Sequence, residues 1–399
     1  MTIDLRQQTG NALFFLLILV IMLDPTNTVL HLKDVFFILL VGYNIVCFKP
    51  DWKYLPHICA VFSVVTIGYL VAEVQQNAVD YTELLAIYKS FSPLILLLWI
   101  RYYDVIKMSI MPALLTCLLL EVLYALAITS PLYESFLWNF TQNHDHMIMM
   151  STRYILGIKI FGMYYKSFVC LLFAMFTCYY RLFNRLGHFV IYLPSFLIFT
   201  FAFLVSGTRS TMLVPFFMTG LVSYKTIARH HKMRYLLYPL LFMFILLFIF
   251  FIILLASEET EASNVIKYGH LRSYITLFEE HPWYLIVGQG TATSFYTEGF
   301  GHFCFKTEWT YIEMIRYYGI FSFLILAVVL YPLRVFFRYV NYVKDDTYVL
   351  GIMCTYIAYL LIAGTNPLLI SSTGMLVILS AYSYVEKLDE NNKIKMIRP

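Results

Sequence analysis

Continuous apolar runs recur along this whole chain, each about 17 to 25 residues long, the length a helix needs to cross a ~30 Å hydrocarbon layer. A segment in lipid must satisfy its own backbone, which only helices and closed barrels achieve. A barrel would show segments of about 10 residues alternating apolar and polar, and these runs do not alternate. The expected fold is therefore all-α, a polytopic integral membrane protein. Twelve candidate spans begin near Asn11, Asp34, Pro56, Leu84, Val105, Tyr154, His188, Ser210, Tyr235, Thr307, Tyr348 and Leu369. They form one transmembrane domain over residues 1–399. The first run is followed by Asp24-Pro25 rather than a small-residue cleavage site, so it is expected to stay as the first helix. The stretch 386–399 is charged and reads as a disordered cytoplasmic tail.

Composition agrees. Apolar residues make up 60% and charged residues 13%, against about 25% charge in soluble domains. The net charge of +4 is modest and no dense basic cluster stands clear of the apolar runs, so no nucleic-acid partner is expected. Six of the seven cysteines lie in or beside apolar runs, which implies no disulfide framework.

The basic residues orient the spans. With a cytoplasmic N-terminus, 18 of the 28 Lys and Arg fall on the cytoplasmic side, seven on the other and three inside spans, as the positive-inside rule requires. The seven outer exceptions are Lys33, Arg153, Lys159, Arg209, Lys267, Arg272 and Lys306. They need a reason to be there.

Three of the seven, Lys267, Arg272 and Lys306, come from one stretch. Residues 257–319 form the longest polar interval in the chain and hold six of its 17 glycines. So many glycines in 63 residues indicate a built structure, with residues 257–306 as a large outer loop. Within it Asn264 to Glu280 has helical spacing, with Val265, Tyr268, Leu271, Tyr274, Ile275 and Phe278 on one apolar face. An amphipathic helix lying on the membrane or across the bundle is expected, ended by His281-Pro282. Gly288 to Gly301 reads as a flexible turn region. A span from Thr307 to Tyr331 follows, with polar first turns.

Several side chains here suit anion chemistry. Arg209, in the short break Ser206-Gly207-Thr208-Arg209-Ser210, offers a guanidinium fork to phosphate oxygens, although border arginines more often contact lipid headgroups. Arg272 sits on the loop helix, with His270 on another face as a possible base. Glu308 lies at a membrane boundary, where a carboxylate suits general-base work. Glu313 and Arg316 are three apart and can pair on one helix face. Lys159 and Lys166 follow Arg153 along the sixth span, and depth favours a polar cavity for Lys166. His144-Asp145-His146 is a poor metal site without a matching partner, so no metal or other cofactor is expected.

The turn at 206–210 resembles the small-residue-plus-arginine turn of the O-antigen polymerase and ligase superfamily of bacterial envelopes. Arg272, Phe278, His281-Pro282 and Gly288-x-Gly290 resemble the progression in that family's large periplasmic loop. Thr307-Glu308, Tyr311-Ile312-Glu313 and Tyr318-Gly319-Ile320 resemble the start of its next helix, and Asn366-Pro367 with Ser371-Ser372-Thr373-Gly374 its closing helices. The likeness runs from Val205 to Ser380. In ligases a histidine stands eleven residues before the glycine that Gly319 resembles, and here that position is Glu308. The pattern is thus nearer a polymerase, although His302, six residues earlier, leaves a ligase open.

The resemblance implies a GT-C-like, metal-independent glycosyltransferase of the bacterial inner membrane, its site facing the periplasm. It would transfer a growing glycan from undecaprenyl pyrophosphate to an incoming undecaprenyl-pyrophosphate-linked repeat unit. A chain-length co-polymerase is implied as a partner, along with the bilayer itself. Glu308 and Arg272 would be catalytic. Arg209, Arg272, Arg316 and Lys166 would hold pyrophosphate. His270, His302 and Glu313 would contact substrate. A ligase acting on lipid A core, or a flippase for lipid-linked sugars, are the alternatives.

Overall fold

The computed structural model of the chain describes residues 5–144, 147–155, 158–184, 186–206, 220, 262–343 and 346–390. Helix dominates. Among the described residues six helices are long and apolar enough to cross a membrane: Leu5–Leu23, Trp52–Val74, Tyr81–Tyr102, Val105–Thr129, Thr310–Tyr342 and Thr347–Gly364. The apolar helices Phe168–Phe183 and Phe189–Val205 are shorter. The chain is a multi-pass membrane protein. The candidate spans near Ser210 and Tyr235 lie outside the described residues.

Three stretches differ from the sequence expectation. The stretch expected to open the sixth span is an antiparallel hairpin, Ile148–Ile155 paired with Ile158–Tyr165, in register from Ile148↔Tyr165 to Ile155↔Ile158. Its Ile, Thr, Tyr and Phe residues favour a pleated surface, and in the second strand Lys159 alternates with Ile158 and Ile160 in the sequence. A count of apolar length ignores that two-residue period. The helix therefore begins only at Phe168, and Lys166 sits in the turn before it rather than inside it. Ser167 Oγ fastens this turn to the end of the first helix by donating to Met22 O at 2.6 Å.

The second correction concerns the C-terminus. The closing helix Ser372–Glu390 runs through the middle of the bundle and is buried along almost its whole length. Small residues let neighbours approach: Ser383 Oγ donates to Tyr103 O, and Gly374 lies against the carbonyl of Leu368. Residues 386–390 belong to this helix and not to a loose tail. Glu386 accepts from Lys53 Nζ at 2.7 Å and from the Tyr54 hydroxyl, and Asp389 meets Lys53 at 2.7 Å. Charges paired in this way extend the helix past its apolar part.

The polar interval is built as expected, with tighter docking. The loop helix Ala262–Glu280 leads through a 3-10 turn, Pro282–Leu285, to two short paired strands, Phe295–Thr297 and His302–Cys304. The helix Thr310–Tyr318 follows, breaks at Gly319 and continues as Ser322–Tyr342. The glycine stretch after residue 288 is not a flexible turn. Gly290 N donates to Tyr317 O at 3.2 Å and Thr291 N to Gly68 O at 3.0 Å, so it is pinned between two spanning helices. Gly288 and Gly290 have φ of +85° and +107°, and a Cβ on either would meet backbone, of Tyr317 and of Ala72. Only glycine fits there.

Candidate functional site

A cavity of about 1050 Å³ opens between the loop after the first helix, the hairpin, the loop helix and the turn before the closing helix. Its first wall comes from Asp24. This buried carboxylate accepts from the backbone N–H groups of Thr28, Val29 and Leu30, at 3.1, 3.0 and 2.7 Å. The loop is thereby wound into a tight turn, and Lys33 N donates to Asn27 Oδ1 at 3.1 Å. His31, Lys33 and Asp34 then face the cavity.

Five lysines line it, Lys33, Lys89, Lys166, Lys267 and Lys306, against two carboxylates, Asp34 and Glu308. Lys267 Nζ lies 3.2 Å from Glu308 Oε2, Lys89 pairs with Asp34 at 3.3 Å and Lys306 pairs with Glu83. Among the described residues the Lys33 ammonium has only neutral hydrogen-bond partners, Pro25 O at 3.4 Å and Ser372 Oγ at 3.3 Å. Burial pushes the pKa of Lys33 down, with Asp34 and Asp24 opposing and Lys89 adding to the fall. With five lysines against two carboxylates, the lining itself carries an excess of positive charge. Met149, Tyr164, Phe300, Leu368 and Ile370 supply apolar surface beside the cations.

Two buried polar groups at this site lack partners among the described residues. One is the Tyr164 hydroxyl in the cavity wall; burial, and then Cys170 and Glu308, push its pKa up. The other is His270, with both ring nitrogens unpartnered. It stands behind Phe300, at 4.4 Å between ring centroids. Burial pushes its pKa down, with Glu308 opposing, so the ring is held neutral.

Glu313 and Arg316 are brought together, but away from the cavity. Both are buried, Arg316 completely. Arg316 Nε donates to Glu313 Oε1 at 3.0 Å, and its two amino groups reach Glu313, Gln289, Thr293 and Phe305 O. With all five N–H groups used, none remains for a pyrophosphate. The Tyr274 hydroxyl meets Glu313 Oε2 and lies 2.7 Å from Thr307 Oγ1. The expectation that Arg316 holds pyrophosphate and Glu313 touches substrate is replaced by a structural role. The pair locks the loop helix and the glycine stretch onto the helix that follows Glu308.

The other expected residues separate. Glu308 and Lys166 line the cavity. Arg272 is exposed and does not line it, because the loop helix turns His270, Ser273 and Tyr274 inward. Val265, Tyr268 and Ile275, on the apolar face that the helical spacing marks, are exposed with it. His302 is exposed on its short strand, with Nδ1 3.0 Å from Phe300 O. Arg209 lies outside the described residues, as do Asp145 and His146, while His144 stacks on Phe140. The side chains of Arg153 and Lys159 are likewise not described.

Lys33, Lys89, Lys267 and Lys306 were missed as site residues. A signal existed for three of them: Lys33, Lys267 and Lys306 are outer exceptions to the positive-inside bias. No family model, no curated protein and no solved structure matches this chain.

Proposed function

We propose that this chain polymerises lipid-linked glycan repeat units at the outer face of the bacterial inner membrane, as the O-antigen polymerases it resembles do. The growing glycan would leave undecaprenyl pyrophosphate and join the repeat unit of a second undecaprenyl-pyrophosphate carrier. The observation that carries this reading is the position of Glu308, paired with Lys267 in a cavity lined by five lysines.

The chemistry follows from that arrangement. The acceptor hydroxyl attacks the anomeric carbon of the donor sugar and gives its proton to Glu308. The anomeric C–O bond breaks, and its electron pair leaves with the pyrophosphate. Lys33, Lys166 and Lys306 supply positive charge where the leaving group develops negative charge. The apolar wall by Met149, Leu368 and Ile370 suits the first isoprene units.

Purified protein given synthetic undecaprenyl-pyrophosphate repeat units, without added metal, tests this. A ladder of products is expected, and Glu308→Gln abolishes it. Transfer that occurs only when lipid A core is added would mean a ligase. Translocation of repeat units between leaflets with no transfer would mean a flippase.

A further inference from the structure

A second, smaller cavity of about 300 Å³ opens at the other end of the bundle. Thr373 lines the large cavity and Lys387 the small one, fourteen positions further along the same helix, about 21 Å at 1.5 Å per residue. The helix Phe168–Phe183 separates them in the same way, with Lys166 before it at one and Arg181 near its end at the other.

Three cations line the small cavity, Lys107, Arg181 and Lys387, against one carboxylate, Asp104. Asp104 is already engaged. It caps the helix Val105–Thr129 by accepting from Lys107 N at 3.2 Å, and it pairs with Lys387. Arg181 donates to the Tyr192 hydroxyl, which orients the guanidinium and occupies only part of its five-donor fork. Tyr180, Tyr348 and Tyr384 add hydroxyls, and Ile106, Ile110 and the exposed Leu186 add an apolar flank.

We propose that this cavity binds the phosphate headgroup of an anionic phospholipid. Its cations match phosphate oxygens, the tyrosine hydroxyls match a glycerol headgroup, and the apolar flank matches the upper acyl chain. A free phosphate ion would have no use for that flank. All three cations lie on the side to which the positive-inside bias assigns the cytoplasm, where anionic lipid is concentrated and basic pockets between helices take such headgroups. The inference does not depend on the polymerase reading, because none of these residues lines the large cavity.

The test compares phosphatidylglycerol with phosphatidylcholine retained by the purified protein through detergent exchange, read by native mass spectrometry. The wild type retains phosphatidylglycerol selectively. Lys107→Gln with Arg181→Gln lowers that retention by roughly 10- to 30-fold, the effect of removing two interfacial cations. Equal retention by variant and wild type overturns the proposal. So does displacement of the lipid by millimolar inorganic phosphate, which would identify a free-anion site. A headgroup-diazirine phosphatidylglycerol on the unaltered chain checks the site independently of variant folding. Crosslinks near Lys107 and Arg181 support the proposal, and crosslinks confined to other segments overturn it.

Discussion

Lys267 Nζ stands 3.2 Å from Glu308 Oε2, and this contact joins the loop helix to the first residues before a spanning helix. Both side chains are about one-third exposed, at 29% and 34%. An ion pair that wet contributes about 0–1 kcal/mol to stability. Glu308→Gln should therefore leave the thermal midpoint almost unchanged. On the proposed polymerase reading, loss of this carboxylate as general base should still lower polymerisation by about 10²- to 10⁴-fold. A ladder of wild-type length from Glu308→Gln would remove this residue from the chemistry.

Arg316→Leu should behave in the opposite way. It leaves Glu313 as a buried charge without its cation, which costs about 3–5 kcal/mol. That is a large share of the roughly 5–15 kcal/mol that holds a domain folded. The expected outcome is a collapse in monodisperse yield by size-exclusion chromatography. Glu313→Leu with Arg316→Leu should recover only part of it, because Thr293 O and Gln289 Oε1 still lose their donor.

Gly290→Ala and Gly301→Ala separate backbone strain from crowding. Both positions have positive φ, +107° and +69°. At Gly301 a Cβ meets open space, so the expected loss is about 1–2 kcal/mol from conformation alone. At Gly290 it meets the Ala72 backbone, and a larger drop in thermal midpoint is expected. Equal drops would show that the glycine stretch is not docked against the Trp52–Val74 helix.

Acid should weaken the site through His270. Burial lowers its pKa below 6.5, so the unfolded chain binds a proton that the folded one resists. Its contribution to stability is complete above pH 6.5 and is lost as pH falls below that value. The midpoint of the wild type should drop between pH 7.5 and about pH 5.5, and His270→Phe should flatten that part of the profile. An unchanged slope in His270→Phe would show that the ring does not remain neutral in the fold.

The cavity lysines should act through charge. Lys33→Gln or Lys166→Gln should each weaken binding of undecaprenyl pyrophosphate by roughly 10-fold, the effect of one charge-assisted hydrogen bond. Isothermal titration at low and high salt measures it, and added salt should shrink the difference between wild type and variant. Arg272→Ala, exposed and off the cavity, should bind as the wild type does.

Much of the fold was legible in the chain because lipid imposes one-dimensional rules. Spanning helices must be long and apolar, so Val105–Thr129 and Thr347–Gly364 begin at or next to the residues where their apolar runs begin. The Glu313–Arg316 pair followed from helical spacing alone. The hairpin at Ile148–Tyr165 was hidden because length in apolar residues does not distinguish a period of two from a buried helix.

The residues alone specify a multi-pass helical protein with one polar interval and a basic bias toward one side. They also place Glu308 and Lys166 on the short roll of residues worth testing. Which charges share a space is set by packing in three dimensions. Lys33, Lys89 and Lys166 come from three separate stretches and Lys267 and Lys306 from a fourth, and they meet through packing of helices that are far apart in the chain. The same packing buried Arg316 and left Arg272 outside. No local pattern carries that information, because the rotation of each helix about its axis is set by the neighbours it packs against.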